Sequence, residues 1–531
     1  EQISVRDVVS WSALIGGYAQ NGLGHEALEC FRDMQNVGVC PNPVTYVHVL
    51  KACGIVRSLE IGKDIDAEVR KQGLLEKDVV LGTALVGMYS KCGAMAKARE
   101  VFEQLPNRNA VSWSGLIAGY AQNGFGDEAL KCYKQMKDAG VSPDAVTYIC
   151  TLKACAIVGS LEIGEHIDAE VRKQGLLQKD VVLGNALVDM YAKCGALEKA
   201  QALFEQLPKR NVVSWNALIT GYAQNGLGDE ALKCFKQMRN VGVCPDKVTY
   251  ICILKACGIL RSLEIGQDID AEVRRKGLLQ KDIVLGNTLI DMYSKCGAME
   301  KAQEVFEQIP GHNVVSWSAL IGGYAQNGLG EEALRCFKQM TDLGIHPDVV
   351  TFVCALKACS VVGSLEIGED IYAEVKRQGL LHKNIVLGTA LVDMYSKCGV
   401  MEKATEVFEH IPVREVTSWN AFMTGYAQLG QTQVVFDLYD EMKAEGISPD
   451  LVTFHVLLTA CSQDGLLEEG EKLFDEMCGV YSLTPAREHY TCMIDLFSRV
   501  GCLEKAKDLL DNVFSSSDRR ALCLTLLGRC H

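Results

Sequence analysis

The chain has 531 residues, with 53 Lys and Arg against 67 Asp and Glu, a formal net charge of −14 and 48% hydrophobic residues. With 23% charged residues and 11 prolines it is neither a disordered nor a collagen-like chain, and no stretch of 18 apolar residues offers a spanning helix, so no membrane partner is expected. Net acidity argues against nucleic acid, but screening over roughly 8–10 Å leaves room for a basic groove on a long acidic body.

Residues 1–7 lack both a signal-peptide core and an Arg/Ser-rich transit segment and read as the remnant of a preceding short unit. The segment Val-Val-Ser-Trp-Ser-Ala-Leu-Ile at 8–15 then returns with few changes from Ala110, Val212, Val314 and Val416, spaced by 102 residues each time. Repetition of this kind governs the fold. Each period divides into units of 35, 36 and 31 residues, the first three being 8–42, 43–78 and 79–109. Standard, long and short units alternate over 8–450, and a last long and short unit follow at 451–518, for fifteen units.

Each unit reads as two antiparallel helices. Trp11, Leu14, Ile15 and Tyr18 fall at positions 4, 7, 8 and 11 of the first unit, the stripe of an amphipathic helix. Gln20-Asn21-Gly22 ends that helix; Ala27, Leu28, Phe31 and Met34 mark the second, which Gly38 through Pro41 stops. In the long units the second helix opens at Ser58-Leu59-Glu60 and closes at Arg70-Lys71-Gln72-Gly73, acid and base complementing the helix dipole. One such unit cannot bury its apolar face alone, so the expected fold is an all-α superhelical solenoid.

Of the 23 cysteines, thirteen recur in three sets: Cys53, Cys155, Cys257, Cys359 and Cys461 after Ala, Cys92, Cys194, Cys296 and Cys398 in Lys-Cys-Gly, and Cys30, Cys132, Cys234 and Cys336 in Ala-Leu-x-Cys. At helix-core spacing they act as small hydrophobes, which fits a reducing compartment. No Cys-x-x-Cys pair exists for zinc, the ten histidines share no repeat position and no phosphate loop stands out, so no catalytic residue, metal or cofactor is expected.

Val-Val-Ser-Trp-Asn-Ala-Leu-Ile-Thr-Gly-Tyr-Ala-Gln-Asn-Gly at 212–226, Leu-Lys-Ala-Cys at 254–257 with Ser-Leu-Glu-Ile-Gly at 262–266, and Asp-Met-Tyr-Ser-Lys-Cys-Gly at 291–297 resemble the pentatricopeptide repeat family. The alternation of 35, 36 and 31 residues resembles its plant class of standard, long and short motifs. The resemblance implies a right-handed α-solenoid superhelix of about fifteen repeats that binds single-stranded RNA and directs C-to-U editing of a mitochondrial or chloroplast transcript. Residues 519–531 resemble the start of the extension that precedes a deaminase domain in that class. No deaminase signature is present, which implies a deaminase in trans or in a missing C-terminal domain, with editing cofactors contacting the long units. A factor for transcript stabilisation, splicing or translation stays open, as does a protein-binding scaffold.

On a helical wheel the core stripe leaves positions 2, 5, 9, 12 and 13 on the opposite face, where a groove would lie. Position 5 of the standard and short units is Ser12, Thr83, Ser114, Asn185, Asn216, Asn287, Ser318, Thr389, Asn420 and Thr491. The last position is Asn42, Asn109, Asp144, Asn211, Asp246, Asn313, Asp348, Glu415, Asp450 and Asp518. Helix capping alone also selects Asn and Asp there. As a base-reading pair, Asp accepts the imino N–H of uracil or guanine, whereas Asn donates to adenine or cytosine. By resemblance, Ser or Thr at position 5 favours purines and Asn pyrimidines. Position 2 offers Val9, Val80, Val111, Val182, Val213, Val284, Val315 and Val386 to sandwich a base. Lys91, Lys193, Lys295, Lys397 and Arg499 of the short units, and Lys51, Lys153, Lys255 and Lys357 of the long ones, are candidates for phosphate. Position 5 of the long units is Val47, Ile149, Ile251, Val353 and His455, and the apolar four are expected to read no base.

Overall fold

The computed structural model describes residues 7–75, 77–381 and 383–513. They form two compact bodies, one ending at Leu260 and the other beginning at Arg261. Among the described residues there are thirty helices and no strand. The first three units supply α1 (Val8–Gln20), α2 (Gly24–Asn36), α3 (Pro43–Val56), α4 (Leu59–Lys71), α5 (Val79–Lys91) and α6 (Met95–Glu103). Every later first helix likewise begins on the first residue of its unit, at Ala110, Ala145, Val181, Val212, Lys247, Ile283, Val314, Val349, Ile385, Val416, Leu451 and Arg487. The repeat arithmetic and the helix starts coincide because the last residue of each unit caps the next first helix.

Within each body the first helices pack on one another in succession, α1 on α3 and α3 on α5, while each second helix leans on its own first helix and on the next one. Successive second helices do not form a comparable layer. Each body is therefore an α-solenoid with a close-packed row of first helices. Residues 1–6 of the expected remnant, Asp518 and the extension-like tail lie outside the described residues.

Of the stripe read in the first unit, Trp11 and Ile15 are core while Leu14 is 42% exposed and Tyr18 half-buried; in later units the equivalents Leu116, Leu218 and Leu320 are buried. Trp11, Trp113, Trp215, Trp317 and Trp419 are all buried. Trp113 meets Phe102 of the preceding short unit edge-on at 4.6 Å, and Trp215 meets Phe204 at the same distance. In the second body Trp317 stands 4.7 Å from Phe306. The Asn of the Asn-Gly turn ties the same junction: Asn123 Nδ2 donates to the carbonyls of Ser90 and Gly119 at 2.9 and 2.8 Å. Burial pushes the Cys53, Cys155, Cys359 and Cys461 thiols up to about 12, as their role as small core groups requires.

Long and short units are joined by a buried polar clamp. The Tyr89 hydroxyl donates to Asp66 at 2.7 Å and Arg70 Nε donates to the same carboxylate at 2.8 Å. Asp168, Arg172 and Tyr191 repeat it, as do Asp270, Arg274 and Tyr293. The glycine of Leu-Glu-Ile-Gly has a steric reason at this junction: a Cβ on Gly164 would collide with the side chain of fully buried Met190. Gly164→Ala should therefore lower the unfolding midpoint, at a cost of about 1–3 kcal/mol of overpacking. Met190→Ala in the same chain should recover part of the loss. Circular-dichroism melts of the two variants check this, and equal midpoints for wild type and Gly164→Ala would contradict it.

Candidate nucleic-acid interface

The candidate base-reading columns meet where one unit ends and the next begins. The last residue is the N-cap of the following first helix, and its Oδ1 accepts from the third residue of that helix. Thr45 N donates to Asn42 Oδ1 at 2.8 Å, Thr147 N to Asp144 Oδ1 at 2.7 Å, and Ser214 N to Asn211 Oδ1 at 3.0 Å. Thr249, Thr351 and Thr453 serve Asp246, Asp348 and Asp450 in the same way. Asn109 and Asn313 cap through Ser112 and Ser316. Capping thus explains the Asn/Asp preference in part.

Position 5 reaches the same atom. Asn216 Nδ2 donates to Asp246 Oδ1 at 2.9 Å, Asn420 Nδ2 to Asp450 Oδ1 at 2.9 Å, and Asn185 Nδ2 to Asn211 Oδ1 at 3.3 Å. Ser12 and Ser318 connect through the capping threonine instead, at 2.7 Å to Thr45 Oγ1 and 2.6 Å to Thr351 Oγ1. Ser114 bonds Thr147 at 2.7 Å and touches Asp144 at 3.5 Å. The buried Thr or Ser at position 3 of the next unit was missed in the sequence, although its capping-box spacing was there to be read.

Three pairs are not joined. Thr83 donates to Val79 O at 2.8 Å and makes no bond to Asn109. Thr389 Oγ1 and Asn287 Oδ1 are buried without a partner, and Glu415 engages Ser418 through its backbone. Thr491 bonds Arg487 O, and its expected partner Asp518 lies outside the described residues.

The helical-wheel placement of position 5 needs correction. Ser12, Ser114, Asn185, Asn216, Asn287, Ser318 and Asn420 are all buried, at 5–9% exposure, and Ala19, Ala121 and Ala223 at position 12 are buried too. A wheel describes one helix in isolation, but in the stack the next first helix covers that flank. Position 5 therefore lies beneath the candidate face and not on it.

In every joined pair the bonds converge on Oδ1, the atom that Asn and Asp share. The second terminal atom, Oδ2 in Asp and Nδ2 in Asn, is left over, an acceptor in one and a donor in the other. For Asp246 burial raises the carboxyl, but the Thr249 amide and the Asn216 side chain outweigh it, and the group stays below its ordinary value as an ionised acceptor.

Position 2 stands out from the surface. Val9 and Val80 are 66% exposed, and Val111, Val182, Val213, Val284, Val315 and Val386 are exposed as well. The row continues through the long units at Val44, Val146, Val248, Val350 and Val452, all exposed. The same 102-residue period would have found them.

The short-unit cations arrive with counter-ions. Lys193 Nζ pairs with Asp189, Lys295 with Asp291 and Lys397 with Asp393, each at 2.8 Å, and Arg499 pairs with Asp495 at 3.0 Å. Lys91 has Gly87 in place of that Asp and makes no ion pair. Lys51, Lys153, Lys255 and Lys357 on the long first helices are exposed and likewise make none. No group of His, Cys, Asp or Glu among the described residues could hold a metal ion, and no helix among them is long and apolar enough to cross a membrane.

Comparison with known proteins agrees with this architecture. Residues 6–54, 108–157, 210–258, 312–361 and 414–463 match the PPR repeat family, and 83–109, 185–212, 287–314, 389–416, 452–479 and 488–515 match the PPR repeat itself. The chain belongs to the pentatricopeptide repeat family. A pentatricopeptide repeat-containing protein of Arabidopsis thaliana is 35% identical over 532 residues, covering 100% of this chain and 76% of that protein. Two further Arabidopsis proteins of the same description, one chloroplastic and one mitochondrial, are 35% and 36% identical; this chain spans 60% and 51% of their lengths. The crystal structure of PPR10 from maize has a TM-score of 0.52 at 21% identity, covering 99% of this chain and 80% of that one. PPR10 in complex with an 18-nt psaJ RNA element gives 0.56 at 20% identity, covering 96% and 84%.

Because capping uses only the shared oxygen, Asp246→Asn should leave thermal stability unchanged to within a few tenths of a kcal/mol. Asp246→Ala should cost about 1 kcal/mol. Thermal melts of both variants check this, and an equal loss in the two would refute the division of labour between the two atoms.

Proposed function

We propose that the inner first-helix face binds single-stranded RNA, reading one base per standard or short unit, as the recognition part of an organellar C-to-U editing factor. The observation that carries the reading is the shared Oδ1: it positions the last residue and leaves free the one atom that differs between Asp and Asn. The exposed position-2 valines supply apolar surface for splayed bases. Lys91, Lys193, Lys295, Lys397 and Arg499 supply cations for the backbone, four of them paired in the free protein with an Asp one turn earlier. The RNA complex of PPR10 supports the ligand class, and the chloroplastic and mitochondrial relatives support the compartment. Editing rests on the alternation of unit lengths and the extension-like tail, with the deaminase supplied by another chain or domain.

Read from the first unit with RNA running 5′ to 3′, the target is A-x-A-G-x-Y-U-x-Y-G-x-x-U-x-G. Affinity should fall steeply with salt, and a duplex of the same sequence should bind far more weakly. Selection from randomised RNA should return this pattern. Asp246→Asn should move the seventh nucleotide from U toward C, with discrimination of about 1–3 kcal/mol if one paired contact is remade. A folded variant that still prefers U would remove the Asp/Asn readout and leave a general RNA binder.

A further inference from the structure

Asp78, Asp180 and Asp282 cap the first helices of short units by accepting from two backbone amides, and position 3 of those helices is Leu81, Leu183 and Leu285. A cap at a unit boundary therefore needs no hydroxyl at position 3. The residue found there follows position 5 of the preceding unit instead. Where that residue is Val47, Ile149, Ile251 or Val353, the next unit brings leucine. Where it is Ser, Thr or Asn, the next unit brings Thr or Ser, and His455 is met by His489.

The position-3 hydroxyls of Ser214, Thr249, Ser316 and Thr453 are fully buried, so they act on a ligand only through another side chain. Thr249 Oγ1 donates to Asn216 Oδ1 at 2.6 Å, Thr453 Oγ1 to Asn420 Oδ1 at 2.8 Å, and Ser214 Oγ to Asn185 Oδ1 at 2.7 Å. The carbonyl end of each amide is thus held by the next unit, and its NH2 end by the last residue of its own unit. Held at both ends, the amide cannot turn over, and one N–H is left for a ligand.

Asn287 shows the other arrangement. Its Oδ1 is buried without a partner, and Ser316 Oγ donates to Asn313 Oδ1 at 3.0 Å instead. Ser112 and Ser418 turn to the backbone carbonyls of Asn109 and Glu415 and make no bond to Thr83 or Thr389. Asn185, Asn211 and Ser214 are therefore the same three residue types as Asn287, Asn313 and Ser316, yet only the first set holds its position-5 amide.

Resting on the base reading proposed above, we infer that the buried position-3 hydroxyl of the following unit is a positioning residue for base choice. It fixes which atoms position 5 presents, so a base is selected by three side chains drawn from two units, and the choice made by one unit depends on its neighbour. Held and unheld pairs then differ in sharpness. Nucleotide 6, served by Asn185, is discriminated, whereas nucleotide 9, served by Asn287, is read loosely.

The test uses the whole chain and a 15-nt RNA of the target pattern, with uridine at each unread position and at nucleotides 6 and 9. Replacing that uridine by a purine should weaken binding about tenfold at nucleotide 6, the scale of one lost paired contact, and less than about threefold at nucleotide 9. Ser214→Ala should reduce the loss at nucleotide 6 to that seen at nucleotide 9 and leave the preference at nucleotide 7 as in the wild type. Ser214→Thr keeps the hydroxyl and should keep the preference. Ser316→Ala is the control: it gives up the same contacts to Asn313 that Ser214→Ala gives up to Asn211, but none to position 5, and should leave nucleotide 9 unchanged. Melting curves verify that the variants are folded, and the wild-type comparison of nucleotides 6 and 9 needs no variant. Equal discrimination at nucleotides 6 and 9 in the wild type, or an undiminished preference at nucleotide 6 in folded Ser214→Ala, overturns the inference and leaves reading by single units intact. Failure of the wild type to prefer the target over scrambled RNA overturns the broader base-reading proposal instead.

Discussion

The rest of the structure depends on a hydrogen bond made at the boundary between units, from the amide of the third residue of a first helix to the Oδ1 of the residue before that helix. It caps the helix, and it fixes where the last side chain of one unit stands relative to the first helix of the next. Asn42 with Thr45, Asn211 with Ser214 and Asp246 with Thr249 all show it. Position 5 of the preceding helix closes on the same cap, so stability and the candidate reading group are built from one set of atoms. The long units show the contrast: Asp78, Asp180 and Asp282 cap short-unit helices through the amides of the second and third residues, with no polar group at position 5 to meet them.

Charge follows the same economy. The acidic residues that dominate the net charge fall largely on second helices, where Glu60, Asp127, Glu128, Glu331 and Glu332 sit in first turns favoured by the helix dipole. On the first-helix face the charges are few and of two kinds. Lys193 and its equivalents pair with an aspartate one turn away, and exposed pairs of that kind add little to stability. The long-unit lysines are not neutralised. A chain of net charge −14 can thus carry a cationic face.

Near-identical repeats also make their departures informative. The Asp–Arg–Tyr clamp of the first three long–short junctions becomes Tyr372, Lys376 and Tyr395 in the fourth, where burial and the nearby Glu369 carboxylate both raise the Tyr395 hydroxyl. The same short unit carries Thr389 and Glu415, one of the three pairs with no mutual bond, and Glu415 meets Ser418 through its backbone. Arg108 and Arg210 lie over Phe102 and Phe204 and bond the carbonyls ending those second helices; His312 takes this place over Phe306 at 4.1 Å.

The sequence by itself determined the unit boundaries, the two helices of each unit, the Trp, Leu, Ile and Cys core and the family. All of these follow from local rules, the 3.6-residue period, capping chemistry and turn glycines, repeated often enough to leave no ambiguity. Two further features were present in the letters: the Asp–Lys pairs at four-residue spacing, such as Asp189 with Lys193, and the valines of the long units. Tertiary structure alone decided that position 5 is buried, that it shares an oxygen with the last residue of its unit, and that a threonine or serine from the next unit completes the group. A helical wheel shows which way a side chain leaves its own axis. What covers that side chain is set by the neighbouring helix, and only the stacking of one unit on the next puts that helix in place.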